Sequence, residues 1–242
     1  MRSGDVNSDA NLQQRVMPML RLRPAAWAHA RPGVVRTDGS GKISSIETGA
    51  PYKFTSPSPG NSPALVTTAG QNAIRSNTAS STSLGTSTIP QAGPCSLIVL
   101  WWSAANQGPA ARVEDISSGQ NEFVRVGYST TPQAIGSYGG VTQSVSIDNN
   151  RPYVASIRAD GDNPATFRIA NSSQTISSSY SSEDVTVSFL GNCDYFEVAF
   201  FTRELSASET MLAEAIMAWS NGFPNALGGA HPFRNRPPLL GD

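Results

Sequence analysis

An all-β fold of two antiparallel sheets, with one short C-terminal helix, is what this sequence predicts, and three observations predict it. The first is a series of short strand-like runs, "CSLIVLWW", "EFVRVGY", "VTQSVSI", "RPYVASIRA", "ATFRIA" and "DVTVSFL". Turn signals separate them, and no helical segment of roughly 10–15 residues comes between, which argues for a sandwich rather than βαβ units. The second is composition: of 242 residues only 14% are charged, against roughly 25% in an average globular chain. Ser, Thr, Asn, Gly and Pro fill the gap, which suits strands joined by many turns. The third is the stretch "YFEVAFFTRELSASETMLAEAIMAWSNG", residues 195–222, where a strand is followed by a helix with a signalled start and stop.

Taken in order, residues 1–18 are polar and aperiodic and read as a flexible arm. "PMLRLRPAAWAHARPG" brings the first apolar anchors, Leu20, Leu22 and Trp27. "VVRTDGSGKISSIETG" reads as a hairpin turning at Asp38–Gly39, with Val34, Val35, Ile43 and Ile46 on its arms. The proline-dense segment from Pro51 to Gly70 admits only short or edge strands. Residues 76–93, rich in Ser and Thr, read as an extended surface loop.

The run Leu97–Trp101 reads as a strand covered on both faces, with Trp101 and Trp102 pointing to opposite sides. In the last strand, alternation puts Phe196, Val198 and Phe200 on one face and Tyr195, Glu197, Ala199 and Phe201 on the other. "SASE" at 206–209 is a capping box. Met211, Leu212, Ala215, Ile216 and Trp219 form the expected buried stripe, and Gly222 stands at the C-terminal cap before Pro224. The irregular spacing of "HPFRNRPPLLGD" predicts a tail lying along a surface. The predicted domain is 19–223, with the extended tail at 224–242.

A net charge of −1 and a pI of about 6.1 give no global field for nucleic acid or anionic lipid. No run approaches a membrane span, and the N-terminal residues lack a signal-peptide core, so folding in a cytosol is expected. Cys95 and Cys193 each precede a strong strand. Antiparallel pairing of those strands would hold the thiols at opposite ends of the ladder, free and partly buried.

Chemistry-bearing patterns are sparse. No E-x-D-x-x-E pattern supplies paired carboxylates, and Glu114–Asp115 and Glu183–Asp184 are adjacent pairs that diverge if placed in strands. His29 and His231, the only histidines, have no nucleophile elbow to serve. Cysteine and histidine spacing matches no zinc site, and "DGDN" at 160–163 reads as a hairpin turn rather than a calcium loop. No cofactor, no metal and no enzyme activity are therefore expected. Tyr128, Tyr138 and Tyr180, each among amides and hydroxyls, are the candidate glycan contacts.

The residues Glu197, Val198, Phe201, Arg203, Leu205, Ser206, Glu209, Trp219 and Gly222 resemble the end of the concanavalin A-like (laminin G-like) jelly-roll domains of bacteriophage virion proteins. "DGSGKISSIETG", "CSLIVLWWSA" and "YVASIRADGDNPATFRIANSS" resemble earlier segments of that family, so the likeness covers about residues 34–222. Where the family has a Trp after the early strand, Ile46–Glu47 stands here. The resemblance implies an all-β two-sheet antiparallel jelly-roll sandwich with the helix closing an open sheet edge. It also implies a non-enzymatic virion structural protein, a capsid decoration, cement or head-fibre component of a tailed bacteriophage, assembled in the host cytoplasm.

On that reading Leu20, Leu22, Trp27, Phe233, Leu239 and Leu240 anchor the terminal segments to the major capsid protein or another virion protein. A homo-oligomer is expected, with a trimer suiting a symmetric surface. The alternative is a lectin-like, glycan-binding module on a phage fibre or cell surface.

Overall fold

The structure, a computed structural model, describes residues 19–56, 62–76, 84–90, 93–103, 111–115, 122–128, 133–161, 164–178, 184–189 and 193–239, with 111–115 and 122–128 described by backbone alone. In chain order the strands are β1 (Ala26–His29), β2 (Val35–Thr37), β3 (Ile43–Ile46), β4 (Phe54–Thr55), β5 (Ala64–Thr68) and β6 (Gln71–Ser76). Then come β7 (Leu84–Thr86), β8 (Ile89–Pro90), β9 (Cys95–Ser103), β10 (Ala111–Asp115), β11 (Glu122–Tyr128) and β12 (Gln133–Tyr138). The last six are β13 (Val141–Ser146), β14 (Arg151–Ala159), β15 (Ala165–Ile169), β16 (Ser172–Ile176), β17 (Asp184–Phe189) and β18 (Cys193–Phe201), and helix α1 (Ala207–Ser220) follows.

One sheet runs β16-β15-β14-β9-β18-β6-β5, with β1 also on β18; the other runs β13-β12-β11-β10-β17-β7-β4-β3-β2, with β8 on β17. The two antiparallel sheets make the jelly-roll sandwich that the sequence predicts. The hairpin of β2 and β3 forms with Asp38 in its turn, where the carboxylate accepts from the amides of Ser40 and Lys42 at 2.9 Å each. Leu84 and Ile89 are fully buried. The 84–90 part of the expected surface loop is therefore two short strands, because each contributes one apolar side chain that the core takes up.

Between the sheets lies an apolar core that includes Phe54, Trp101, Tyr138, Phe167, Phe189, Tyr195 and Phe200. A second cluster covers the outer face of the β18-containing sheet, where Trp27, Ile98, Leu100, Phe196 and Phe201 meet Ala213, Ile216 and Met217 of α1. The strand β9 is thus apolar on both faces, as its run of branched and aromatic residues predicts. Trp101 faces the inner core, while Trp102 packs outward at 6.2 Å from Phe223. Each large apolar side chain buried this way contributes about 1.5–3 kcal/mol.

A β-bulge between Tyr195 and Glu197 changes the alternation of β18. Tyr195, Val198 and Phe200 face the inner core, and Phe196, Ala199 and Phe201 face the helix. Strict period-two counting had exchanged Tyr195 and Phe196. The bulge falls where β18 changes neighbour, from β6 alongside Cys193–Tyr195 to β1 alongside Glu197–Phe200. The extra residue lies opposite β9, which pairs with β18 on both sides of the bulge.

The helix forms as its signals dictate. Ser206 Oγ accepts from the Glu209 amide, and Glu209 accepts from the Ser206 amide at 2.9 Å. At the other end Gly222 adopts φ +75°, and the Phe223 and Gly222 amides donate to Ala218 and Trp219 carbonyls. That is a Schellman closure, which needs the left-handed residue glycine supplies.

Its seat differs from expectation. The helix lies over β9 and β14 rather than along an edge, since those central strands present apolar side chains outward. Its buried surface is the belt Ala213–Ala218, while Met211, Leu212 and Trp219 are only partly buried. The chain after the helix folds back and covers a second flank, with Trp219 Nε1 donating to the Phe233 carbonyl at 2.7 Å. A short 3-10 turn, Pro224–Ala226, starts that return.

Candidate functional site

Among the described residues three carboxylates are buried, and each is held by a cation. Asp194 takes a two-pronged pair from Arg75 at 2.7 and 2.8 Å and a Thr68 hydroxyl at 2.6 Å. Glu214 accepts from the Ser156 hydroxyl at 2.6 Å and lies 3.5 Å from Arg168 Nε. His231 Nε2 also lies 3.3 Å from Glu214 Oε2, too poorly aligned for a hydrogen bond, while His231 Nδ1 accepts from the Phe233 amide. An accepting Nδ1 places the imidazole proton on Nε2, toward the carboxylate.

Glu197 is the most enclosed of the three. Its oxygens accept from Trp27 Nε1 at 2.8 Å, Arg31 at 2.7 Å and Asn221 Nδ2 at 2.7 Å, and Arg31 also donates to Ser220 Oγ. Helix α1 has no basic residue in its last turn. Arg31, arriving from beyond β1, supplies the positive charge that a helix C-terminus favours. The Glu197 and Glu214 clusters tie strands to the helix, and the Asp194 cluster ties β18 to β5 and β6.

The other candidates for reactivity are silenced by burial. Cys95 and Cys193 are free and buried, and desolvation pushes both thiols far above their ordinary range, so neither is a thiolate at neutral pH. Their strands pair with Ser96 opposite Phe201 and Trp102 opposite Asp194, which keeps the two thiols at opposite ends. His29 is 1% exposed, and burial, helped by Arg31, pushes its pKa down to about 3. Among the described residues no group of three or more His, Cys, Asp or Glu side chains is placed to hold a metal ion, and no helix is long and apolar enough to cross a membrane.

The sequence-predicted contacts scatter. Leu22, Trp27 and Phe233 are buried in the helix-side core, so they hold their own chain together and are not free to anchor a neighbour. Alternation without knowledge of the bulge and of the returning segment could not reveal that. Leu20 is partly buried and lines an apolar cavity of about 440 Å³ with Pro24, Pro51, Tyr52, Ile89 and Pro90. Leu239 is 64% exposed. Tyr138 is fully buried, its hydroxyl donating to the Gly161 carbonyl at 3.3 Å, and so is core rather than a sugar platform. Leu240, Tyr180, the Tyr128 side chain and residues 1–18 lie outside the described residues.

A different constellation forms at one end of the sandwich. The β13–β14 turn, the β15–β16 turn and the returning segment enclose an open cavity of about 430 Å³. Its lining includes the apolar Ile147, Tyr153, Ile169 and Leu227 and the polar Asp148, Arg151, Asn171, Asn225 and Arg234. The Asp148 amide donates to the Tyr153 hydroxyl at 2.9 Å. Arg151 lies over the Tyr153 ring at 5.9 Å and pairs with Asp148 at 2.7 Å.

Packing fixes the third wall. The Ala230 amide donates to Asn171 Oδ1 at 3.0 Å, and a Cβ on Gly228 would come within 2.4 Å of the Ala170 carbonyl carbon. Two non-glycine residues beside the cavity hold left-handed backbone, Asn150 at φ +59° and Ala170 at φ +49°. Asparagine tolerates that region, but alanine is held there at a cost of about 1–3 kcal/mol. Sequence reading missed this site because its walls come from three separated segments. The turn-rich "IDNN", "ANSS" and "NALGG" were the only signals.

No family model and no curated protein matches this chain. Solved structures do match. The receptor-binding domain of botulinum neurotoxin type G superposes with a TM-score of 0.54 at 14% identity, over 80% of this chain and 51% of that one. A structure of botulinum neurotoxin type C, titled for cell entry dependent upon interaction with two ganglioside molecules, gives 0.52 at 9% identity, over 83% and 53%. Trypanosoma rangeli sialidase in complex with sialic acid gives 0.53 at 12% identity, over 80% and 32%. This chain therefore spans about a third to a half of those proteins. At such identities the likeness defines a class by fold, the jelly-roll β-sandwich.

Proposed function

We propose that this chain is a non-catalytic, lectin-like carbohydrate-binding module whose saccharide site is the cavity between the β13–β14 and β15–β16 turns and the returning segment. One observation carries the reading: an open cavity of about 430 Å³ combines apolar side chains with amide, guanidinium and carboxylate groups. Sugars present both C–H faces and hydroxyls, and small-molecule sites of roughly 300–1,000 Å³ are built from that mixture. Asp148 is the one carboxylate among the lining residues, whereas glycoside hydrolysis ordinarily needs two. The ganglioside and sialic acid named for the similar sandwiches belong to those proteins, and they lend this reading its context.

Asn225 is exposed and lines the cavity. Asn225→Ala is expected to weaken saccharide binding about tenfold, roughly 1.4 kcal/mol, and Asn225→Phe to abolish it, both with an unchanged melting curve. Glycan arrays followed by calorimetric titration measure this. A chain that binds no glycan, or whose binding ignores both variants, contradicts the reading.

A virion structural role, as a decoration, cement or head-fibre component contacting capsid subunits through its terminal segments, is the second reading. The exposed Leu239 after Pro237 and Pro238 favours it. Deleting residues 1–18, or separately 236–242, is then expected to abolish incorporation into particles without lowering the melting temperature. Normal incorporation of both truncated chains counts against it.

A further inference from the structure

We infer that the saccharide this cavity takes carries a carboxylate, an inference that rests on reading the cavity as a sugar site. Among the described residues, the charges lining it are two arginines, Arg151 and Arg234, against one aspartate, Asp148. The surplus is positive although the whole chain is at −1. Asp148 is already paired with Arg151 at 2.7 Å, and its backbone amide is pinned on the Tyr153 hydroxyl. Arg234 is partly buried, and no carboxylate among the described residues lies within ion-pair distance of its guanidinium. Its backbone amide donates to the His231 carbonyl, within the segment that contacts α1 and the β15–β16 turn.

A planar cation held at a cavity wall with no counter-charge among the described residues matches the forked geometry of a carboxylate, which guanidinium groups bind through two parallel N–H bonds. Arg151, shared with an exposed aspartate, offers a second cation that a ligand carboxylate recruits by exchanging places with Asp148. Around these, Asn171 and Asn225 supply neutral donors and acceptors for hydroxyls, and Ile147, Ile169 and Leu227 supply surface for C–H faces. Sialic and uronic acids both present this combination of one carboxylate and several hydroxyls.

The full chain is titrated calorimetrically with matched pairs, sialyllactose against lactose and oligogalacturonate against its methyl ester, at low and high salt. At least one acidic member is expected to bind tenfold or more tightly than its neutral partner, with the advantage shrinking as salt rises. Arg234→Gln is expected to erase that advantage, and Arg234→Lys to restore part of it. Circular dichroism verifies that both variants fold. Preference for a sialyl or a uronic ligand identifies which source supplies the carboxylate.

Equal binding of acidic and neutral partners, or a preference that survives Arg234→Gln, overturns the inference and leaves the sugar reading standing. Absence of binding to every saccharide tested removes the sugar reading and the inference together.

Discussion

Glu197→Ala is expected to lower stability by about 3–5 kcal/mol, the range for removing one partner of a buried ion pair. The carboxylate is fully buried and joins Trp27 of β1, Arg31 beyond it, and Asn221 at the end of α1 to β18. Its loss leaves the Arg31 guanidinium, whose side chain is 14% exposed, without a counter-charge. It also strands the indole N–H of Trp27, which is wholly out of water. Glu197→Gln keeps an acceptor for the indole and loses the charge, so about 1.5–3 kcal/mol is expected, the worth of a hydrogen bond to a charged group. Urea denaturation of the three proteins measures both. A Glu197→Ala protein within about 1 kcal/mol of the parent would mean that this cluster does not hold helix to sheet.

Acid is expected to destabilise the fold from about pH 6 downward, with His29 as the first cause. Burial lowers its pKa from 6.5 to about 3 in the folded protein. The unfolded chain therefore takes the proton first as pH falls. The contribution of neutral His29 is complete above pH 6.5 and drains away as pH drops toward 3. The slope reaches about 1.4 kcal/mol per pH unit once the unfolded histidine is fully protonated. His29 Nδ1 accepts from the Arg31 amide at 3.4 Å, and Gln at this position keeps an acceptor while removing the titration.

A second group acts lower on the scale. Arg203, together with the Ser206 cap, holds Glu209 down to about 2 from 4.5. Its contribution is complete above 4.5 and is lost as pH falls toward 2, and it stays small because the pair is largely exposed. Between pH 6.5 and 5 the two effects separate. Denaturation midpoints of parent and His29→Gln should diverge in slope there, and identical slopes would show that His29 titrates normally in the folded protein.

Much of the sandwich is legible in the sequence because strand and cap signals are local. The alternation in "DVTVSFL" puts Val185, Val187 and Phe189 in the inner core, and "RPYVASIRA" does the same for Tyr153, Ala155 and Ile157. The Ser206–Glu209 box and Gly222 fix both ends of α1 as read. What escaped depends on long-range pairing. The bulge at Tyr195–Glu197 is a mismatch between β18 and β9, strands from distant parts of the chain. Trp27 looks like an exposed anchor until Glu197, 170 residues away, is seen to take its indole N–H.

The cavity was hidden for the same reason. Asp148, Asn171 and Asn225 look like ordinary turn residues, and only the jelly-roll path brings their turns to one end. The returning segment then seals the third side through contacts such as Gly228 against Ala170 and Ala230 against Asn171. Such contacts join residues nearly sixty positions apart, and no periodicity in "NALGGAHPF" announces them.

Hydrogen exchange on the full chain, with and without the tightest saccharide from the array, tests the central claim most directly. Slowed exchange is expected together in three segments, 146–151, 170–172 and 225–234, with β9 and β18 unchanged. Protection confined to other surfaces, such as the Leu20–Tyr52 cavity or the β2–β3 hairpin, would contradict it.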